Sequence, residues 1–305
     1  MRPLLRPPRL RPGDRVAVVA PSGPVVPERL DAGLDILRGW DLDPVPLPHV
    51  RAVHPALPHL AGTDQQRAAD LQQALCEPGF RAVFTARGGY GAQRTVDLVD
   101  WAAVAAAAPR HLIGFSDVTV VHDALARHAR VVSLYGPALA GEVFLKDEPT
   151  REHLRRLLFD ETAASCPAAP GARTLVSGRA TGVALGGCLT MLATNLATPH
   201  ARPGARGGIL LLEDVAEAPY AVDRSLTHLL RSGWLDGVAG VVLGSWRDCG
   251  PGYAALRPVL LERLAPLGVP VVEEFGFGHG STALTVPLGV RAELDADART
   301  LRWDL

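Results

Sequence analysis

The sequence predicts an α/β fold: an N-terminal α/β part on a largely parallel sheet, followed by a C-terminal part of short strands. Three observations carry this reading. Runs such as Arg15-Val16-Ala17-Val18-Val19-Ala20 have the unbroken hydrophobicity of strands buried on both faces. They alternate with stretches of helical spacing, and the junctions between the two are rich in Gly, Pro and Ser. Over 151–172 the texture changes to a short basic helix and then to Ala- and Pro-rich chain through Cys166-Pro167-Ala168-Ala169-Pro170-Gly171. That break divides the sequence into 1–150, a linker over 151–175, and 176–305.

Composition bounds the function. With 305 residues, 48% of them hydrophobic, the chain buries a sizeable core and exceeds one typical domain. A net charge of -1 provides no basic field, which argues against nucleic acid or an anionic membrane as partner and favours a small ligand. Cys76, Cys166, Cys188 and Cys249 form no close pair, so neither a zinc site nor a disulfide framework is expected, and a reducing cytoplasm fits. The basic start, Met1-Arg2-Pro3-Leu4-Leu5-Arg6-Pro7-Pro8, leads into no apolar signal core, and no run of about 18 apolar residues follows, so a soluble, unexported protein is expected.

The first strand, 15–20, ends in Pro21-Ser22-Gly23-Pro24, a turn at the carboxyl edge of the sheet, where α/β proteins bind ligands; this makes Ser22 a candidate substrate contact. A helix over 28–40 follows. His49, His54 and His59 then sit in a loop broken by prolines, with neither helix-face nor finger spacing, and read as a solvated loop rather than a metal site. A helix over 65–75 leads to a strand at 80–86. Next comes Arg87-Gly88-Gly89-Tyr90-Gly91, where three glycines in four positions permit positive φ and a close approach to a ligand. It is not G-x-G-x-x-G, so a dinucleotide site is not indicated.

The most informative stretch is His111-Leu112-Ile113-Gly114-Phe115-Ser116-Asp117-Val118, in which an apolar strand turns into a helix over 118–128. A serine at such a turn is lifted clear of the sheet, and the first N–H groups of the helix can hold an oxyanion. Val118 replaces the second glycine of a G-x-S-x-G elbow, so this stretch alone leaves open a helix-capping role for Ser116 or Asp117. In a parallel sheet the Gly88-Gly89 turn converges on the same edge and can bring a second N–H beside the hydroxyl.

A strand and turn at 131–137 complete the first half. In the second, apolar strands at 208–212 and 238–244 flank a helix over 222–232. The first of them ends in Glu213-Asp214-Val215-Ala216-Glu217, where a carboxylate at a strand end can orient a histidine. His279 lies in the glycine-lined loop Phe275-Gly276-Phe277-Gly278-His279-Gly280-Ser281, which packing does not explain. Ser116, Glu213 and His279 together supply a nucleophile, an orienting acid and a base.

At this point the sequence resembles the LD-carboxypeptidase family, which includes the microcin C self-immunity peptidases. The matching segments are Pro-Gly-Asp-Arg-Val-Ala-Val-Val-Ala-Pro-Ser-Gly at 12–23, Arg-Gly-Gly-Tyr-Gly at 87–91, Gly-Phe-Ser-Asp at 114–117, Tyr-Gly-Pro at 135–137, Gly-Gly at 186–187, Leu-Glu-Asp-Val at 212–215, Pro-Tyr-Ala-Val-Asp-Arg at 219–224, Gly-His at 278–279 and Val-Pro-Leu-Gly at 286–289. The resemblance implies a cytoplasmic, homodimeric serine peptidase without cofactor, whose C-terminal domain is smaller and mostly β. It implies a triad of Ser116, Glu213 and His279, and an oxyanion hole from the N–H of Asp117 and of the Gly88-Gly89 turn.

The implied substrate is a murein tetrapeptide, cut before its terminal D-alanine at an L,D bond during cell-wall recycling. An alternative is a peptidyl-aminoacyl adenylate, as in microcin C self-immunity, for which Trp246 is the candidate stacking ring. A different class is a non-catalytic two-lobed protein that binds a small ligand. Two departures bear on the substrate: Cys188 stands where similar proteins have Asn, and Tyr135 where many have His. Arg87, then Arg224, are the expected partners of the substrate carboxylate, with Tyr90 beside them.

Overall fold

The computed structural model of the chain describes residues 4–160, 163, 165–167 and 170–303. Met1, Arg2 and Pro3 of the basic start, and Ala168 and Ala169 of the Ala- and Pro-rich run, lie outside the described residues. The first half contributes β1 (Arg15–Val19), β2 (Asp43–Pro46), β3 (Ala82–Thr85), β4 (His111–Gly114) and β5 (Ser133–Tyr135), all parallel, in the order β5-β4-β3-β1-β2. The buried strands β1, β3 and β4 are four or five residues long and largely apolar, and helices close both faces. The 28–40 and 65–75 helices form as Pro27–Gly39 and Asp64–Cys76, the latter started by a Thr63–Gln66 capping box. Sequence reading missed β2: its Asp-Pro-Val-Pro reads as loop, yet it is an edge strand, where a proline removes no needed donor.

The second half builds a larger sheet from β6 (Ser165–Pro167), β7 (Arg173–Val176), β8 (Arg179–Cys188), β9 (Gly208–Val215), β10 (Gly240–Arg247) and β11 (Val271–Glu273). Then β12 (Val286–Leu288) returns to pair antiparallel with β5 of the first sheet, and β13 (Arg291–Asp295) and β14 (Thr300–Trp303) complete the second. The order is β6-β14-β13-β8-β9-β10-β11-β7. Strands β8 to β11 at its centre are parallel. The Leu189–Asn195, Pro219–Arg231 and Tyr253–Leu264 helices pack against it through buried leucines such as Leu189, Leu226 and Leu260. The C-terminal part is thus a mixed sheet with helices on it.

Two local expectations are corrected. The stretch 151–175, read as a short basic helix and then linker, contains most of the Glu148–Phe159 helix and also two strands, β6 and the start of β7. Leu154 and Leu158 of that helix pack into the core of the first sheet, because its apolar side chains recur at helical spacing. The 118–128 helix is three short pieces: a 3-10 turn Ser116–Val118, an α-helix Thr119–Ala124 and a π turn Leu125–Ala129. Val132 and Tyr135 pack with Leu211, Val242 and Phe277 in one core, so the two sheets share a boundary. Among the described residues no helix is long and apolar enough to cross a membrane.

Candidate active site

The shared boundary gathers the residues that the sequence singles out. β4 ends at Gly114, and Ser116 has a φ of +64°, a strained conformation for a side chain with a Cβ. That turn is held from three directions. The Asp117 carboxylate accepts the Ala92 N–H at 2.7 Å, which fastens it to the glycine turn after β3. The Thr119 hydroxyl donates to the Ser116 carbonyl at 2.6 Å and accepts the Cys188 N–H at 3.1 Å, which fastens it to the end of β8. The Ser116 N–H donates to the Tyr135 hydroxyl at 3.1 Å.

Gly88 lies against the nucleophile candidate: a Cβ there would stand 3.0 Å from Ser116 Cβ and 3.3 Å from its Oγ. Gly89 follows at φ +106°, a backbone that few other residues adopt. Gly187 makes the corresponding room on the second sheet, where a Cβ would meet Thr119 Oγ1 at 2.6 Å and Tyr135 Cε2 at 2.9 Å.

Glu213 is wholly buried near the end of β9. Its Oε2 accepts from His279 Nδ1 at 2.6 Å and from the His279 N–H at 3.2 Å. Its Oε1 accepts the Tyr135 hydroxyl proton at 2.6 Å. One carboxylate therefore fixes the imidazole with Nδ1 as donor, leaves Nε2 an acceptor, and reaches Ser116 through Tyr135. A Cβ at Gly278 would stand 2.5 Å from Glu213 Oε2, so the glycine before the histidine makes this approach possible. Phe115 packs on the imidazole with ring centroids 4.6 Å apart, bringing the serine turn and the histidine loop together. Burial pulls the His279 pKa down, but the charge of Glu213 and its hydrogen bond outweigh that, and the net shift is upward.

The neighbouring carboxylates do other work. Asp214 Oδ2 accepts the N–H and hydroxyl of Thr190, both at 2.8 Å, at the start of the Leu189–Asn195 helix; Glu217 is 3.5 Å from the same hydroxyl. Cys188 is buried with its Sγ 3.4 Å from Asp214 Oδ1.

Tyr135 is the participant whose part the sequence did not reveal. In the sequence it stands out only as the tyrosine of Tyr-Gly-Pro and as a departure from His, because a tyrosine at a strand end carries no sign of a partner 78 residues away.

The expected substrate contacts fare unevenly. Ser22 is fully buried where its turn folds under Ala61, so it offers no surface to a ligand. Arg87 is exposed and donates to the Pro24 carbonyl at 2.8 Å. Tyr90 is exposed beside the His59 ring, 5.8 Å away. Arg224 stacks on Tyr220 at 5.3 Å. Trp246 is 5% exposed within the second core, which leaves no face for stacking. His49 pairs with Asp70 at 2.8 Å, and His54 Nδ1 accepts the Ala56 and Leu57 N–H groups, so these two serve the loop's own structure.

Two sheets with a hydroxyl, an imidazole and a buried carboxylate at their common edge make a two-domain α/β protein carrying the groups that a hydrolytic enzyme uses. Residues 16–136 match the LD-carboxypeptidase N-terminal domain and residues 181–294 the LD-carboxypeptidase C-terminal domain; the chain belongs to the LD-carboxypeptidase family, a family of peptidases. A Streptomyces coelicolor protein provisionally named a carboxypeptidase is 61% identical, over 100% of this chain and 97% of its own. The murein tetrapeptide carboxypeptidase of Pseudomonas aeruginosa is 34% identical over 95% of each chain. Among solved structures, muramoyltetrapeptide carboxypeptidase from Oxalobacter formigenes superposes with a TM-score of 0.80 at 27% identity, over 95% of this chain and 97% of its own.

Proposed function

We propose that the chain is a serine-type LD-carboxypeptidase that removes the terminal D-alanine of a murein tetrapeptide in cell-wall recycling. In this reading 1–150 carries the nucleophile, and 176–305 the acid and the base. Ser116 Oγ attacks the carbonyl carbon of the L,D bond and gives its proton to His279 Nε2. Glu213 holds the imidazole in the Nδ1–H tautomer and stabilises the imidazolium. The N–H groups of Asp117 and the Gly88-Gly89 turn receive the developing oxyanion. The proton passes from His279 to the departing D-alanine amine, and water then cleaves the acyl ester by the same route.

The observation that carries the proposal is the buried Glu213 carboxylate, with one oxygen on His279 Nδ1 and the other on the tyrosine that holds the Ser116 N–H. A non-catalytic binding protein has no use for a carboxylate placed in this way. Relatives named as murein peptide carboxypeptidases support the choice of substrate. Incubation with purified murein tetrapeptide, followed by mass spectrometry, tests it: release of D-alanine by wild type and none by S116A is expected. An intact tetrapeptide after exposure to wild type refutes this substrate.

A further inference from the structure

We infer that Arg247 binds the free carboxylate of the leaving amino acid. The inference rests on the roles proposed above for Ser116 and His279 and adds the group that restricts the enzyme to chain ends. In serine-histidine acyl transfer the leaving nitrogen takes its proton from the base, so the leaving residue lies on the histidine side of the scissile carbon. A C-terminal residue has a single carbon between that nitrogen and its carboxylate. The cation that grips it therefore belongs beside His279, away from the oxyanion donors.

Arg87 is on the other side: it adjoins Gly88, which lies against Ser116, and leans over the Pro21-Pro24 turn. Arg247 ends β10, which runs along the histidine loop. The Ser245 N–H donates to the Phe277 carbonyl at 2.9 Å, and a Cβ at Gly280 would stand 3.4 Å from Ser245 Oγ. Two residues further on, the Arg247 side chain lines a cavity of about 560 Å3 with Gly280, Ser281 and Lys146.

The other charges of that cavity are held more closely than Arg247. Lys146 Nζ donates to Glu142 at 2.6 Å, and Asp147 Oδ2 accepts the Thr150 N–H at 3.0 Å and its hydroxyl at 2.6 Å. Arg247 is 3.4 Å from Asp248, its chain neighbour, and both side chains are more than half exposed. Such a pair contributes little and yields readily to a carboxylate that takes two parallel hydrogen bonds from the guanidinium. The Arg247 charge also reaches the imidazole, as one of the influences that pull the His279 pKa down.

The test compares a tetrapeptide ending in D-alanine with the same peptide as its C-terminal carboxamide, measuring kcat and KM separately for wild type, R247M, R247K and R87M. Wild type is expected to prefer the free acid by roughly 10- to 100-fold in kcat/KM, the range of a charged hydrogen-bonded pair. In R247M the ratio should collapse towards one, mainly through KM on the free acid, and R247K should restore part of it. A preference that survives in R247M, or collapses in R87M instead, overturns the assignment while leaving the peptidase reading intact. A wild type that cleaves neither peptide overturns the murein-tetrapeptide reading and this inference with it.

Discussion

The serine turn and the histidine loop are positioned by different physics. Around Ser116 the backbone is strained at φ +64° and pinned by the hydrogen bonds that Asp117 accepts from Ala92, Thr119 donates to Ser116, and Tyr135 accepts from Ser116. The histidine loop is held by charge: one buried carboxylate takes both Nδ1 and the N–H of His279, and Gly278 clears its path. The first region fixes where a hydroxyl stands, and the second fixes where a proton resides. Changes to the first should alter rate without altering the titration of His279, whereas changes to the second should alter both.

The largest effect is expected from Ser116→Ala, with turnover falling by about 10^6-fold while the His279 titration stays in place. Retention of a tenth of wild-type activity by the purified variant would remove Ser116 from the mechanism. Glu213→Gln comes next, at roughly 10^3- to 10^4-fold in kcat, because an amide cannot stabilise the imidazolium. Asp214→Asn and Glu217→Gln should stay within about tenfold, since both side chains attend to Thr190. Steady-state kinetics that ranked Glu217→Gln above Glu213→Gln would move the acid from Glu213 to Glu217.

Tyr135→Phe tests the bridge between the two regions. It leaves Glu213 Oε1 and the Ser116 N–H without their mutual partner, and a buried polar group so deprived costs about 1–3 kcal/mol. Chemical denaturation should show that loss together with a fall in kcat of about tenfold. An unchanged midpoint and rate would mean that the tyrosine is packing alone. The smallest effect concerns strain: Ser116→Gly should be inactive yet more stable than Ser116→Ala by about 1 kcal/mol, since glycine tolerates the left-handed φ. Equal melting temperatures for the two would argue that the turn is relaxed.

What the sequence made legible follows the same division. β1, β3 and β4 were readable because each is a short apolar run ending in a glycine- or serine-bearing turn, and Glu213 stood out because a wholly apolar strand leads up to it. β2 was hidden by its two prolines, and β12 by a pairing with β5 about 150 residues earlier that no local pattern encodes. Ser22 was misplaced because a turn at the right edge of a sheet can still bury its side chain. Tyr135 and Arg247 escaped for a common reason: what gives each a role is a neighbour distant in sequence.

The central claim is that Glu213 governs the protonation of His279, and ring NMR titration of His279 in wild type and E213Q tests it without requiring activity. In wild type Glu213, with help from Asp214, outweighs burial and Arg247, so the midpoint should lie above the ordinary value of about 6.5. Because the neutral imidazole is the base, kcat/KM should rise with pH through that same midpoint. In E213Q burial remains and the main opposing charge is gone, so the midpoint should fall below about 6.5. Identical midpoints in the two proteins would contradict the account.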